Sequence, residues 1–463
     1  MQDRPTLTPT QINEELLWPV FSFRKRHALA FIPPMILISG GVAAVTILIY
    51  QGLWVTGLQR PAFWGFFIVN FVFWIGVSHA GTMISAILRL TQAEWKRPIT
   101  RAAEVMTIFS LVVSLLHPVI HAGRPWRIIY WLLPYDFSRG IWPDVRSPLV
   151  WDPIAITTYL TGSILFVFTA LIPDFALIRD QSSGLRKKIY GRLALGWRGT
   201  PRQWKLQGIF GLLMSALILP VFVSVHSIVS WDFAVSVVPA WHVTVYAPYF
   251  VIGAVHSGVS MVLTLMALMR WIFKLENYIW EDHFDAVGRL LIVIATLWLF
   301  FFFLDFAYSF YTREEQELAV MERRLFEWPF NAITVIMVFT SYVIPIPLWL
   351  SRRVRRNIPL MFWTSILVNI GMWLERYFLI IPAIERKNEL TFLWSNYVPS
   401  LIESLVVLAS FGMVGFLLLL FAKVVPLVPA WEAKEGVIFR EDVQFGEVTL
   451  PGIIKETEEE NVW

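Results

Sequence analysis

Residues 287–311 read VGRLLIVIATLWLFFFFLDFAYSFY, a run in which Arg289 and Asp305 are the only charged residues. A bilayer core about 30 Å thick is crossed by a helix of about 20 apolar residues, so this run is long enough to span a membrane. Of the whole chain, 57% is hydrophobic and only 16% is charged, against about 25% charged in soluble domains. The sequence therefore predicts an all-α integral membrane protein with about ten transmembrane helices, at 28–54, 62–90, 102–121, 150–178, 206–232, 242–270, 287–311, 328–350, 359–384 and 398–423.

The chain contains no cysteine, which excludes disulfides and any iron–sulfur cluster ligated by this polypeptide. A redox role would thus need a partner that holds the metal centres. The basic residues lie in loops between apolar spans, so the net charge of +4 does not indicate nucleic-acid binding. Residues 1–27 are polar and contain Pro5, Pro9 and Pro19, unlike the apolar core of a cleavable signal peptide.

Lysine and arginine predict the orientation. With both tails included, one set of loops carries 27 basic residues and the other set carries 10. The positive-inside rule then places both termini in the cytoplasm, with the spans in the cytoplasmic membrane. We divide the chain into an N-terminal segment 1–27, helices 1–5 at 28–232, helices 6–10 at 233–425, and a cytoplasmic tail 426–463. The tail is polar and ends near the acidic run 456–460, which favours an extended segment lying on a partner or a disordered one.

An internal repeat is indicated by a shift of 177 residues. Matched residues lie four spans apart, so the matched helices run in the same direction, as in a parallel repeat about an axis along the membrane normal. The alternative is chance similarity among apolar segments. The halves have diverged, because Asp152 falls on Pro329. The other matches are Trp54 with Trp231, Gly76, His79 and Gly81 with Gly253, His256 and Gly258, and 151 and 155–157 with 328 and 332–334.

Ionisable residues at membrane depth are costly and usually functional. His117 and His121 lie near the outer end of the third span, four residues apart on one helix face, and Asp152 opens the fourth span at the same level. A quinol site needs apolar walls, hydrogen-bond partners for two oxygens and proton acceptors, which His121 and Asp152 could supply together. The alternative is structural: Asp152 precedes Pro153 as an N-cap would, and His117 is a packing partner.

Further ionisable residues fall at other depths of the predicted spans. For His79 the alternative to a proton-relay role is a hydrogen bond to a neighbouring helix. Glu375 and Arg376 could form a buried charge group satisfied by Asp305 or Glu403. Haem b needs opposed histidines, usually in two pairs, and His79 with His256 is a single pair, so we expect no haem. The set comprises Glu104 and Asp174 near the inner face, His79 and His256 midway, and His226, Asp305, Glu375, Arg376 and Glu403 in the outer half of the second bundle.

Three motifs resemble the NrfD-like family, the quinol-interacting membrane subunits of polysulfide-reductase-type complexes. They are GVSHAGTMISAILRL at 76–90, HPVIHAGRPW at 117–126 and WDP at 151–153. The resemblance extends from about residue 15 to residue 430 of the chain. The ten spans, the basic loops and the long C-terminal segment look most like the larger NrfD-like subunit of bacterial alternative complex III.

This resemblance implies two four-helix bundles, helices 2–5 and 6–9, with two peripheral helices. It implies a quinol, menaquinone rather than ubiquinone, bound near the periplasmic face of the first bundle, with no haem, iron–sulfur cluster or metal held by this chain. Electrons would pass to a periplasmic iron–sulfur subunit and a multihaem cytochrome c, beside a sister NrfD-like membrane subunit. The site would be His117, His121, Arg124, Trp126 and Asp152, with His121 and Asp152 catalytic.

Family members have also been proposed to move protons, and two candidate routes follow from the resemblance. One runs through Glu104, Asp174, His79, His121 and Asp152, and the other through His226, Asp305, Glu375, Arg376 and Glu403, with His256 at the depth of His79. The competing interpretations are the anchor of a polysulfide- or nitrite-type reductase, a secondary transporter, and a structural anchor with a dead site. Against the transporter, the spans lack paired Gly- and Pro-broken segments at mid-membrane depth.

Overall fold

The structure is a computed structural model that describes residues 7–59, 61–91, 94–127, 140, 142, 145–385, 396–438, 440–445 and 448–453. Within these residues, ten helices are long and apolar enough to cross a membrane, as predicted. We number them span 1 to span 10 in chain order. They are Lys25–Gln51, Phe66–Leu90, Thr100–His121, Pro148–Asp180, Pro201–Ala234, Tyr246–Phe273, Glu281–Thr312, Phe330–Leu350, Ile358–Ile384 and Leu401–Phe421.

The largest difference from the predicted boundaries is at span 7, which begins at Glu281 rather than at residue 287. Its first turn contains Glu281 and Asp282, with His283 closing a capping box on Trp280. Acidic residues are favourable at a helix N-terminus because they complement the helix dipole. A search for apolar residues alone does not find such a turn.

The spans form the two expected bundles. In the first, span 2 packs on spans 3 and 5, and span 4 packs on the same two neighbours. Spans 6 to 9 pack around one another in the same way, and spans 2 and 6 provide the main contact between the bundles. Spans 1 and 10 pair outside them, where a Cβ at Gly41 would lie 2.2 Å from the Cβ of Ala409. Small residues allow this close approach of two helices in a membrane.

Consecutive spans run in opposite directions, so their ends lie on two faces. Arg101, near the start of span 3, contacts Asp174 near the end of span 4, and Asp285 in span 7 contacts Arg355 after span 8. We call this face, which also carries the start of span 1 and the end of span 10, the basic face. The other face, which carries His121 and Asp152, is called the far face.

Short elements cover both faces. On the basic face, helix Pro9–Phe21 is capped by Thr8 and Gln11, and Lys423 Nζ donates to the Pro19 carbonyl at 2.6 Å. On the far face, helix Glu315–Phe326 lies between spans 7 and 8. Span 8 contains the helices Phe330–Val338 and Pro345–Leu350 with a π-helical turn Phe339–Val343 between them. Two further helices in loops are Gly184–Leu193 and Arg352–Arg355. The loops also contain the 3-10 turns Leu53–Val55, Glu94–Lys96 and Pro125–Arg127.

The segment after span 10 differs from the extended tail that the sequence predicts. Residues 425–430 are buried against the rest of the chain, and helix Ala430–Ile438 follows. Beyond it, strands β1 (Arg440–Phe445) and β2 (Val448–Ile453) form an antiparallel hairpin, the one departure from an all-α fold among the described residues. The acidic run 456–460 lies outside the described residues.

Candidate functional site

His121 is the last residue of span 3 and lies at the far face. Its Nδ1 is buried and makes no hydrogen bond. The imidazole packs edge-on against Phe67 of span 2, with ring centroids 6.3 Å apart. An imidazole has one nitrogen that can accept a proton near neutral pH. His121 thus offers a free acid–base atom at the membrane edge, where the sequence predicts one.

Asp152 does not cap span 4. The helix begins at Pro148 after Ser147, so Asp152 lies inside the helix and the capping interpretation is wrong. Its side chain is 2% exposed and contacts the carboxyl group of Asp232 in span 5. Oδ1 of each aspartate has no hydrogen-bond partner. Because two carboxylates in contact repel each other, a proton shared between them would stabilise this arrangement.

The structure places His121 and Asp152 at the same face on neighbouring spans, since spans 3 and 4 pack together. Among the described residues, no hydrogen bond or ion pair joins the two side chains. The partner of Asp152 is instead Asp232, which the sequence analysis did not single out. The available signal was its position, since Asp232 is an acid near the far end of an apolar span, at the level of Asp152.

Aromatic rings lie next to the aspartate pair. Trp151 and Trp231 immediately precede the two aspartates, and their rings meet edge to face at 6.3 Å. Trp151 Nε1 donates to the Val145 carbonyl at 2.7 Å, which fixes its ring. Arg124 and Trp126, both predicted to bind quinol, lie exposed in the loop after span 3, with Trp126 63% exposed. They therefore border the site and are not part of its buried wall.

His117 is buried and both of its nitrogens are engaged. Nδ1 donates to the Val113 carbonyl at 2.8 Å, and Nε2 accepts from Asn70 Nδ2 at 2.7 Å. Asn70 also donates to Ser410 in span 10 at 2.9 Å and accepts from Trp373 in span 9 at 3.1 Å. This network ties together spans 2, 3, 9 and 10, so we assign His117 a structural role.

Two interior histidines, His79 and His226, are neighbours although the sequence analysis placed His226 in the second bundle. His79 of span 2 and His226 of span 5 are in ring contact, with centroids 4.7 Å apart. His226 therefore packs in the first bundle, and its predicted grouping in the second was wrong. Arg376 lies over Phe250 at 4.8 Å, and Phe250 in turn contacts His226 at 6.0 Å.

The far end of the second bundle is closed by a buried ion pair. Arg324 of helix Glu315–Phe326 is 0% exposed, with Nη1 3.4 Å from Asp305 Oδ2 and Nη2 3.2 Å from the Leu379 carbonyl. The guanidinium also lies 4.5 Å from the centre of the Phe378 ring. Neighbouring Arg323 pairs with Glu385 at 2.8 Å, and burial raises the pKa of this glutamate. Asp305 thus has a partner that the sequence analysis did not name.

The hydrogen-bond partners of Glu403 lie in the loops that precede spans 2 and 10. One carboxylate oxygen accepts from the Tyr397 hydroxyl at 2.6 Å, and the other accepts from the backbone N–H groups of Gly57 at 2.7 Å and Ser400 at 3.0 Å. A Cβ at Gly57 would lie 1.9 Å from the Val398 carbonyl oxygen, so only glycine permits this approach. Glu403 therefore clamps the start of span 10 to the loop after span 1.

Glu104 and Asp174 lie near the basic face, as predicted, but they have local partners. Ser85 donates to Glu104. Arg101, which is 1% exposed, contacts Asp174 at 2.5 Å and donates to the Pro426 carbonyl at 3.1 Å. The backbone N–H of Ala430 donates to Asp174 Oδ1 at 3.2 Å. Segment 426–438 is thereby attached to the basic end of the first bundle.

Comparisons with known proteins place these features in context. A family model described as "Polysulphide reductase, NrfD" matches residues 54–386. A protein of Mesobacillus selenatarsenatis that is named as a subunit of selenate reductase is 23% identical over 86% of this chain and 93% of its own length. A protein of Halobacterium salinarum that is named as a putative membrane subunit of dimethyl sulfoxide reductase is 26% identical over 49% of this chain and 50% of its own length.

Proposed function

The chain belongs to the polysulphide reductase NrfD family, and from this premise we propose that it is the quinol-oxidising membrane subunit of an electron-transfer complex. Its site would lie at the far end of the first bundle. The observation that carries this assignment is the pair of unsatisfied acid–base atoms there, His121 Nδ1 and Asp152 Oδ1. Both are on neighbouring spans at one membrane edge, where a lipid-soluble substrate has access.

The chemistry of these residues fits a quinol. The ligand has two polar oxygens on a flat apolar ring, and such a site combines apolar and aromatic walls with a few polar groups. Trp151 and Trp231 supply aromatic surface, and Oδ1 of Asp152 and Asp232 and Nδ1 of His121 are unused hydrogen-bonding atoms. Unused polar atoms in a buried place call for a partner. A bound quinol head group would supply one.

The side chains then act as proton acceptors. Quinol, when bound, supplies two electrons and two protons. His121 can take a proton at Nδ1, and the aspartate pair can take one because it holds a single proton on two carboxyl groups. Since Asp152 is buried, its exchange with water runs through Asp232, whose side chain is less buried. Protons would leave at the far face, which is the periplasmic face by the positive-inside rule.

Electrons need an acceptor in another polypeptide, because this chain has no cysteine with which to ligate an iron–sulfur cluster. We propose an iron–sulfur subunit on the far face, followed by a multihaem cytochrome c and accompanied by a sister NrfD-like subunit, as in alternative complex III. A second candidate is the membrane subunit of a terminal reductase. It is supported by the names of the relatives, which are subunits of selenate and dimethyl sulfoxide reductases.

The test of the site uses two substitutions in the intact complex, Asp152→Asn and His121→Ala. Loss of a general base lowers rates by about 10²- to 10⁴-fold, so each variant should show a large fall in quinol-dependent electron transfer. Assembly and cofactor spectra should stay unchanged. Asp180→Asn and His242→Ala are the matched controls, because both residues are exposed. Asp180 lies on the basic face, and His242 contacts the Ser236 carbonyl in the loop after span 5. Normal turnover in both site variants would exclude this assignment.

The acceptor is tested separately with the purified complex. Reduction of cytochrome c by quinol, together with haem in the preparation, would support the first candidate. Molybdenum content and quinol-dependent reduction of an oxyanion or a sulfoxide would support the reductase. Neither result tests the role of Asp152 and His121, which the substitutions above address.

A further inference from the structure

A band of buried polar side chains lies where the two bundles meet. His79 of span 2 and His226 of span 5 come from the first bundle, and His256 of span 6 and Glu375 and Arg376 of span 9 come from the second. The exposed fraction of each is 1% or less. Spans 2, 5 and 9 all pack against span 6, so the five residues share one interface.

Contacts lead across this interface from one bundle to the other. The rings of His79 and His226 are 4.7 Å apart, and Phe250 lies between His226 and the Arg376 guanidinium, at 6.0 and 4.8 Å. A Cβ at Gly253 would lie 2.8 Å from Arg376 Nη2, so glycine there makes room for the guanidinium.

The same series continues into the second bundle. Arg376 Nε lies 3.2 Å from Glu375 Oε2, and Trp298 Nε1 donates to Glu375 Oε1 at 3.4 Å. The Trp298 ring then contacts His256, with centroids 5.8 Å apart. The series thus extends from span 2 to span 7, with the Phe250 and Trp298 rings between its ionisable groups.

Most hydrogen-bonding atoms in this band have no protein partner. They are His79 Nε2, both nitrogens of His226 and of His256, and Nη1 and Nη2 of Arg376. A buried polar atom left unsatisfied has lost its hydrogen bonds to water without compensation. Native proteins satisfy the large majority of such atoms, and a buried water molecule typically makes about three hydrogen bonds. Ordered water is the partner that such atoms take in native proteins, whereas a dry interface would leave them uncompensated.

We propose that the band is a hydrated connection that carries protons sideways between the two bundles. A neutral imidazole binds a proton from water at its free nitrogen and releases another from the opposite nitrogen, so no electron and no bond to carbon changes. Glu375 balances the charge of Arg376. A proton arriving on His226 is repelled by the nearby guanidinium, which favours its passage over its retention. The energy that would drive these protons comes from quinol oxidation, so the connection rests on the proposed function.

Substitutions at His226 test the connection in vesicles containing the whole complex. His226→Gln keeps a hydrogen-bond donor and acceptor but cannot relay a proton, and His226→Leu also removes the polar contact with water. With a protonophore present, both variants should keep quinol-dependent turnover. Without the protonophore, the number of protons moved per electron is measured, and the protons that quinol itself releases are subtracted. Both variants should lose at least half of this remainder. Ser224→Ala on the same helix is the control, since Ser224 is exposed and bonds only to its own helix.

Two results would overturn the connection. One is an unchanged proton-to-electron ratio in both His226 variants, including the case in which the native complex moves no extra protons. The other is an experimental density map that resolves ordered water elsewhere in the complex and shows none at His226 and Arg376. Both outcomes are independent of the quinol site, because failure of that site would appear as normal turnover in Asp152→Asn.

Discussion

The far ends of the two bundles contain buried carboxyl groups with opposite surroundings. In the first bundle Asp152 contacts a second acid, Asp232. In the second bundle Asp305 faces Arg324, whose guanidinium is completely buried. The difference comes from helix Glu315–Phe326, which inserts its arginine into the second bundle. We therefore expect the acid pair of the first bundle, and not the ion-paired Asp305, to take part in proton chemistry.

Removing the buried cation should have the largest effect. Arg324→Met leaves Asp305 as an uncompensated charge, and breaking such a pair costs about 3–5 kcal/mol. We expect less assembled complex and a lower thermal midpoint in detergent, with turnover per assembled complex unchanged. The double variant Arg324→Met with Asp305→Leu should recover most of the stability, because an apolar pair replaces the ion pair. An unchanged thermal midpoint in Arg324→Met would show that the Arg324–Asp305 ion pair does not stabilise the far end of the second bundle.

Asp232→Asn should have the next largest effect, at the first bundle. An amide in contact with Asp152 cannot share a proton with it, so we expect quinol-dependent turnover to fall by about 10- to 100-fold. The steady-state rate in membranes at saturating quinol measures this. Asp180→Asn is the matched control, because it makes the same change at an exposed residue of span 4 on the basic face. Normal turnover in Asp232→Asn would show that the aspartate pair of the first bundle is not needed for quinol oxidation.

Asp174→Asn tests whether the Arg101–Asp174 contact holds segment 426–438 against the basic face. Hydrogen bonds to charged groups contribute about 1.5–3 kcal/mol, so loss of this charge should weaken the contact of Arg101 with segment 426–438. We expect faster protease cleavage after residue 425 and unchanged turnover. Unaltered cleavage together with lost proton transfer would instead return Asp174 to the proton route that the sequence predicts.

Composition and span patterning were enough to predict the ten helices, because lipid demands long apolar runs and the interruptions are charged. The positions of His121 and Asp152 at one membrane edge also followed from the sequence. Their partners did not. Asp232 and Arg324 come from elements whose approach depends on packing, and the grouping of His226 with His79 depends on which face of span 5 turns inward. Sequence spacing gives depth in the membrane, but it does not give rotation about a helix axis.

His117 and His121 sharpen the comparison within a single helix. Both lie near the far end of span 3, but His117 has both nitrogens bonded, whereas His121 Nδ1 has no partner. His117→Gln should cost only about 1 kcal/mol, the net contribution of one hydrogen bond, with turnover unchanged. His121→Gln should lower turnover and leave the thermal midpoint nearly unchanged. If the two variants lowered turnover equally, an unsatisfied nitrogen would not be what distinguishes a functional histidine at this end of the bundle.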